Sequence, residues 1–454
     1  MDGTKREINM LEGSLWDKIL RFALPLAATG ILQQLFNAAD IAVVGRFTGR
    51  TGALAMAAVG ANTPVIGLIL NLFIGVSLGT NVIIANSIGR RDDTSIHRAV
   101  HTSIAFALVG GMVTLVLGEW LAGPVLTTQN VPAEVLPLAI LYFRVYMLGM
   151  PVILLYNFES AIFRGIGKPK IPLLALCLSG LLNVLLNVLF VVAFHRTVDG
   201  VAAATVISNG ISSLILMVFL MKEKGAWQLR LGQLRMDSGI LRRILRIGVP
   251  AGLQSAVFAF ANIIIQTAIN SLGTVVMAAS GAAFNVEVFV YYVLNSFSQA
   301  CTTFVGQNCG AGKIDRCKQT MGLCWLEGVV AMTLSIALLL FFGRGILSVF
   351  NTDPEVIETG YIRLIVIFSA YFFTLSYEVM SGYMRGFGIS LVPAIITMIC
   401  ICGVRITWIY TIFPHYRSFH NIMLTYPVSL SITAVAMLVA LLCVRPSARH
   451  LGRS

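Results

Sequence analysis

The heptapeptide ILRFALP at residues 19–25 returns as ILRIGVP at residues 244–250, 225 positions later. Two further stretches return in the same order, both at an offset of 221. AMAAVGA (55–61) becomes VMAASGA (276–282), and FRGIGKPKIP (163–172) becomes MRGFGISLVP (384–393). Three ordered matches at nearly constant offset mark a duplicated half-chain unit. The predicted lobes are 1–225 and 226–454, with a basic segment at about 222–243 joining them.

Each half must live in lipid. Of the 454 residues, 57% are hydrophobic and 11% charged, and the mean hydropathy is +0.85. A water-soluble domain of this length cannot cover so much apolar surface. Apolar stretches fall at about 17–45, 53–77, 97–122, 136–158, 170–194, 198–221, 243–271, 275–304, 317–342, 357–381, 389–413 and 419–444. Each is long enough to cross a bilayer as a helix, and the alternation of a membrane barrel is absent. The expected fold is an all-α polytopic membrane protein of twelve transmembrane helices. Six helices per repeat is an even number, so both lobes enter from the same side and relate by a pseudo-twofold axis along the membrane normal. The first apolar run is too long for a signal peptide and reads as a retained helix.

The net charge of +12 is topological. Basic residues gather in alternate loops: Lys5 and Arg6, Arg90 and Arg91, Arg164, Lys168 and Lys170, then the segment from Lys222 to Arg246. Lys313, Arg316 and Lys318, Arg385, and Arg445, Arg449 and Arg453 complete the series. The intervening loops hold scattered charges such as Arg46, Arg50, Arg196, Arg344 and Arg417. This asymmetry places both termini in the cytoplasm and argues against a nucleic-acid partner. The eight cysteines lie in or beside predicted helices and read as packing residues. His97 and His101 have metal-ligand spacing but no matching acid or cysteine, so a solvated helix mouth is expected there. With no phosphate-binding loop and no nucleophile elbow, the chain does not read as an enzyme or a nucleotide-driven pump, and no cofactor is expected.

Charged side chains inside a span cost about 2.5–3.5 kcal/mol on insertion scales, so each is a functional candidate. Asp40 closes one face of the first span with Asn37 and Gln33. Asn183 and Asn187 share a face of the fifth span, and Thr205 and Asn209 a face of the sixth. A carboxylate, amide oxygens and a hydroxyl suit either Na⁺ or a proton; helix gluing by the amides is the plainer alternative. The second half carries Asn262, Gln266 and Asn270 as one stripe, Glu287 with Tyr291, and Tyr371, Thr374 and Glu378. Arg405 stands alone in an apolar run and is expected to pair with Glu287 or Glu378. The unpaired glutamate then meets a cationic substrate or titrates. Glu327 is expected near lipid headgroups at the start of its helix. In the repeat, Asn37 aligns with Asn262 but Asp40 aligns with Ile265, so the coupling chemistry is expected to be asymmetric between halves.

The whole chain resembles the multidrug and toxin extrusion (MATE) transporters, in their bacterial MepA-like branch. The likeness rests on the twelve spans, the paired RGxG turns at Arg164–Gly167 and Arg385–Gly388, and the QNCGAGK turn at Gln307–Lys313. The resemblance implies an aspartate for ion coupling at Asp40, with the polar pair Asn183 and Asn187 and the threonine Thr205 around it. It also implies a bendable proline at Pro25 and a nearby glutamine at Gln33. Members with a sodium site in the second lobe place acids where this chain has amides and Thr374, which puts that site in doubt.

The resulting expectation is a monomeric, Na⁺- or H⁺-coupled antiporter in a bacterial inner membrane. It would export organic, mostly cationic amphipathic compounds by alternating access. Asp40, Asn37, Asn183, Asn187 and Thr205 are the ion-coupling candidates; all but Asn37 would be Na⁺ ligands under sodium coupling. Gln33, Asn262, Gln266, Glu287, Tyr291, Thr374, Glu378 and Arg405 are the substrate-binding candidates. The alternative reading is a flippase for lipid-linked precursors, which requires a more basic cleft than these acids and amides provide.

Overall fold

The computed structural model describes residues 8–47, 52–129 and 131–451. Lys5, Arg6, Arg50 and Arg453 of the charge pattern lie outside the described residues, as do the side chains of Arg46 and Arg449. Among the described residues every regular element is helical.

The first repeat forms α1 (Trp16–Phe47), α2 (Gly52–Gly89), α3 (Asp93–Thr128), α4 (Leu136–Leu148), α5 (Met150–Ile166), α6 (Lys170–Val188) and α7 (Val198–Lys222). The second forms α8 (Ser238–Asn270), α9 (Thr274–Gly310), α10 (Ile314–Phe341), α11 (Gly343–Phe350), α12 (Pro354–Ser369) and α13 (Tyr371–Gly386). It continues through α14 (Leu391–Thr397), α15 (Val404–Thr411), α16 (Phe419–Val444) and α17 (Pro446–Leu451). Among the described residues ten helical stretches are long and apolar enough to cross a membrane; counting each of two bent pairs as one span makes twelve.

The bent pairs occupy equivalent places in the repeat. α4 and α5 meet at Gly149 with a 50° bend, and α12 and α13 meet at Ala370 with a 45° bend. Gly149 and Pro151 explain the first break, since proline cannot donate back into the preceding turn. At the second, neither residue type is present; the Ser369 hydroxyl donates to the Val366 carbonyl at 2.7 Å, a contact that bends helices. The two RGxG turns are equally matched. Gly167 and Gly388 have φ of 91° and 79°, the left-handed region that favours glycine. A Cβ on Gly165 would press on Ile84 and the Asn81 carbonyl, and one on Gly386 on Val305 and the Thr302 carbonyl. Those contacts are themselves 221 residues apart, so the duplication copied packing as well as sequence.

By contacts the described residues form two units: Ala28–Gly248, and Ile8–Ala27 with the chain from Val249 onward. Sequence repeat and contact clustering therefore divide the chain at different places. The opening segment joins the second unit because Arg316 donates to the carbonyls of Met10 and Gly13, both at 3.2 Å, and Lys313 to that of Leu11 at 2.9 Å. In the first unit, the segment before α8 is held to α3. The Arg230 amide donates to His101 Nε2 at 3.1 Å, and the Asp237 amide to the Thr102 hydroxyl at 3.1 Å. His101 is thus a buried structural residue, where a solvated mouth was expected.

Candidate functional site

α6 and α7 pack together in the first unit, and their polar residues converge on Asp40 of α1. Asn187 Nδ2 donates to Asp40 Oδ1 at 2.5 Å and to Asn183 Oδ1 at 3.2 Å. Thr205 Oγ1 lies 3.3 Å from Asp40 Oδ2 and 3.0 Å from the Val201 carbonyl. Asn183 Nδ2 contacts Ser208 Oγ at 3.4 Å. Asn183 and Asn187 are buried and Asp40 half-buried. The Asn187 side-chain oxygen is buried without a hydrogen-bond partner. Five oxygens from Asp40, Asn183, Asn187 and Thr205 therefore belong to one side-chain cluster, and that of Asn187 accepts no hydrogen bond. Such a donor set suits a hard monovalent cation or a proton.

The helix bearing the amide pair changes its winding beside the cluster. α6 passes at Leu189 into a π-helical turn, Leu189–Ala193, the kind of local distortion that collects at functional positions. Tyr142 and Tyr146 of α4 lie within electrostatic reach of Asp40, their rings 6.0 Å apart. Neither tyrosine stood out in the sequence. Asn37 is exposed and its side chain makes no hydrogen bond among the described residues, Gln33 is half-buried, and Asn209 donates to its own helix at Thr205 O, 2.8 Å away.

In the second unit the buried ion pair differs from the one expected. Glu287 of α9 is held by Arg363 of α12, with Nη2 at 2.8 Å from Oε1 and Nε at 3.2 Å from Oε2. Arg363 also donates to the Ser280 hydroxyl at 2.5 Å. Arg405 pairs with neither glutamate. Its Nε donates to the Ser429 hydroxyl at 3.0 Å, and its guanidinium lies over Tyr426 at 4.3 Å and Phe258 at 5.5 Å. Aromatic faces and a hydroxyl take the place of a carboxylate, an arrangement open to the flat, weakly hydrated guanidinium. Arg363 was overlooked because it stands only ten residues after Asp353, near the entry of its span.

Glu378 of α13 accepts from Ser298 Oγ at 3.3 Å, and Tyr291 and Arg385 lie within its electrostatic reach. Thr374 is buried with no hydrogen-bond partner for its hydroxyl. Asn262 is half-buried; Gln266 and Asn270 are exposed and bonded to each other at 2.8 Å. Glu327 is only 2% exposed, not at the headgroups, and both its carboxyl oxygens lack partners. Where the repeat aligns Asp40, Ile265 is buried with Ile269, Ile409, Phe413, Ile422 and Met423.

The profile of the family MatE matches residues 25–189 and 250–411. The probable multidrug resistance protein YoeA of Bacillus subtilis is 28% identical over 430 residues, 92% of each chain. The multidrug export protein MepA of Staphylococcus haemolyticus is 22% identical over 349 residues, 76% of each chain. Among solved structures, an outward-facing multidrug resistance MATE family transporter of the MOP superfamily superimposes with a TM-score of 0.89. That comparison has 22% identity and covers 99% of this chain and 100% of the other.

Proposed function

The chain belongs to the MatE family of multi-pass membrane transporters, and on that premise we propose that it is an ion-coupled antiporter exporting organic, mostly cationic amphipathic compounds. The multidrug names of YoeA and MepA support the substrate class. The coupling ion is Na⁺ or H⁺, and its site is the Asp40 cluster. The observation that carries this reading is the Asp40 carboxylate bonded to Asn187 and Thr205 beside the unpartnered Asn187 oxygen.

A proton would add to an Asp40 oxygen; a sodium ion would replace the weak Thr205 contact and draw on Asn183 Oδ1 and Asn187 Oδ1. Either ion changes the charge of the cluster by one. It shifts the transporter between inward- and outward-open states only through unequal affinity for the two, and the exported compound must prefer the opposite state. With Glu287 held by Arg363, Glu378 is the one of those two glutamates left to meet a cationic substrate. The chain resides in the bacterial cytoplasmic membrane, with both termini inside, as a monomer; the alternate-loop distribution of lysine and arginine supports that orientation.

The test is export of a fluorescent organic cation by cells producing Asp40→Asn at wild-type surface abundance. The reading expects export to be lost; wild-type export contradicts it.

A further inference from the structure

α8 opens with two faces of opposite character. Ile240, Ile244 and Ile247 are buried in the first unit's core, and the Ile244 carbonyl lies against Gly79, where no Cβ could fit without displacement. The other face carries Ser238, Leu241, Arg242, Arg243, Leu245 and Arg246 around a groove of about 940 Å³. Arg242, Arg243 and Arg246 are exposed, and none of their side chains has an ion pair or hydrogen bond among the described residues. The nearby acid that acts on Arg243 is Asp92, whose own carboxylate is engaged by the Ser95 amide at 3.0 Å. The groove is thus a cation-rich surface, with Asp92 acting on Arg243 and no ion pair to any of the three arginines among the described residues.

α8 is long and apolar enough to cross a membrane, and the three arginines lie in its first three turns, at the entry that the alternate-loop charge pattern puts on the cytoplasmic side. The turns are anchored there: Asp237 accepts from the Ile240 amide at 2.9 Å and lies 3.6 Å from Arg98 of α3. At such an entry three guanidiniums can reach lipid phosphates, while the exposed edges of Leu241 and Leu245 and the arginine stems can meet glycerol and upper acyl carbons. A free phosphate would engage the guanidiniums alone and make no use of the half-buried leucine edges, of which Leu245 also packs on the first unit's core.

We propose that this groove is a binding site for an anionic phospholipid, its phosphate held by Arg242, Arg243 and Arg246 and its upper chains lying along Leu241 and Leu245. This site is separate from the Asp40 cluster and independent of the exported compound. A bound lipid would fix the entry of α8 at the interface and tie the chain to acidic membranes.

The experiment is native mass spectrometry of the full-length protein in detergent, titrated with phosphatidylglycerol or phosphatidylcholine. Wild type is expected to retain phosphatidylglycerol, and R242Q/R243Q/R246Q to bind it roughly a hundred-fold more weakly. K222Q/K224Q/R235Q removes the same charge from exposed positions outside the groove and is expected to bind as wild type. Equal retention of the two lipids, equal weakening in both triple variants, or displacement of phosphatidylglycerol by millimolar inorganic phosphate overturns the proposal. A thermal unfolding curve matching wild type accompanies each variant; if R242Q/R243Q/R246Q unfolds early, R242Q/R246Q replaces it under the same criteria.

Discussion

Arg363 grips Glu287 with two hydrogen bonds, 2.8 and 3.2 Å long, across 76 residues of sequence, and both side chains are buried. Taking one partner away leaves the other charge in a dry site, which costs about 3–5 kcal/mol. Arg363→Ala is expected to lower the unfolding temperature of the detergent-solubilised protein sharply. R363M/E287L, which removes both charges, should recover most of that loss. Equal stability of wild type and Arg363→Ala would show that the pair carries no weight.

Glu327 makes the opposite prediction. Its carboxyl oxygens are buried without partners and feel the like charge of Asp17, whose Oδ1 is likewise unpartnered. Glu327's neighbour Gly328 packs closely on Leu375, and Cys324, one turn before, belongs to the second unit's core. Glu327→Met, of similar volume, is expected to stabilise by about 1–3 kcal/mol, read as a higher unfolding temperature. A lower temperature would mean that the carboxyl makes a favourable interaction.

Arg91 sits at φ 55°, where its repeat equivalent, Gly312, has φ 72°. The following amides bond alike: Asp92 N to Ser87 O at 3.0 Å, and Lys313 N to Asn308 O at 2.8 Å. An L side chain in this region costs about 1–2 kcal/mol, so Arg91→Gly should raise stability by up to ~1 kcal/mol after glycine's entropy is counted. Chemical denaturation of the two proteins side by side measures it, and no gain would mean that the arginine side chain compensates the strain.

Asp92 caps α3, and its hydrogen bonds with Ser95 hold its carboxyl below the ordinary aspartate range. A carboxyl lowered on folding stabilises above its unfolded value, near pH 4, and loses that contribution as pH falls through the lowered folded value. Asp92→Ala should cost about 1 kcal/mol at neutral pH. Asp92→Asn should keep the cap while removing this residue's part of the acid-side decline, visible in unfolding temperatures measured across pH 2–6.

Lipid makes much of this fold readable from sequence. Every span must be helical and apolar throughout, so twelve stretches stand out, and the RGxG turns announce their left-handed glycines. The break at Gly149 is written in Gly149 and Pro151; its partner at Ala370 is not, because a serine back-bond leaves little local signature. Asn183 and Asn187 share a face because they are four apart on one helix, and the packing of α6 on α7 brings them with Thr205 to Asp40. Asn37 lies on the same helix as Asp40 yet remains outside the cluster. The Arg363–Glu287 pair escaped for a different reason. Periodicity gives the face of each helix but not its neighbour, and the choice between Arg363 and Arg405 depends on which helices touch. Tyr142 and Tyr146 were hidden among the aromatic residues that any lipid-facing helix carries.

The central claim is that Asp40 couples an ion gradient to export. The direct measurement is efflux of a fluorescent organic cation from proteoliposomes under an imposed pH gradient or an imposed sodium gradient, one at a time, with wild type and Asp40→Asn at matched incorporation. Wild type is expected to pump with one of the two gradients, and Asp40→Asn with neither. Uphill efflux by Asp40→Asn at the wild-type rate would contradict the account.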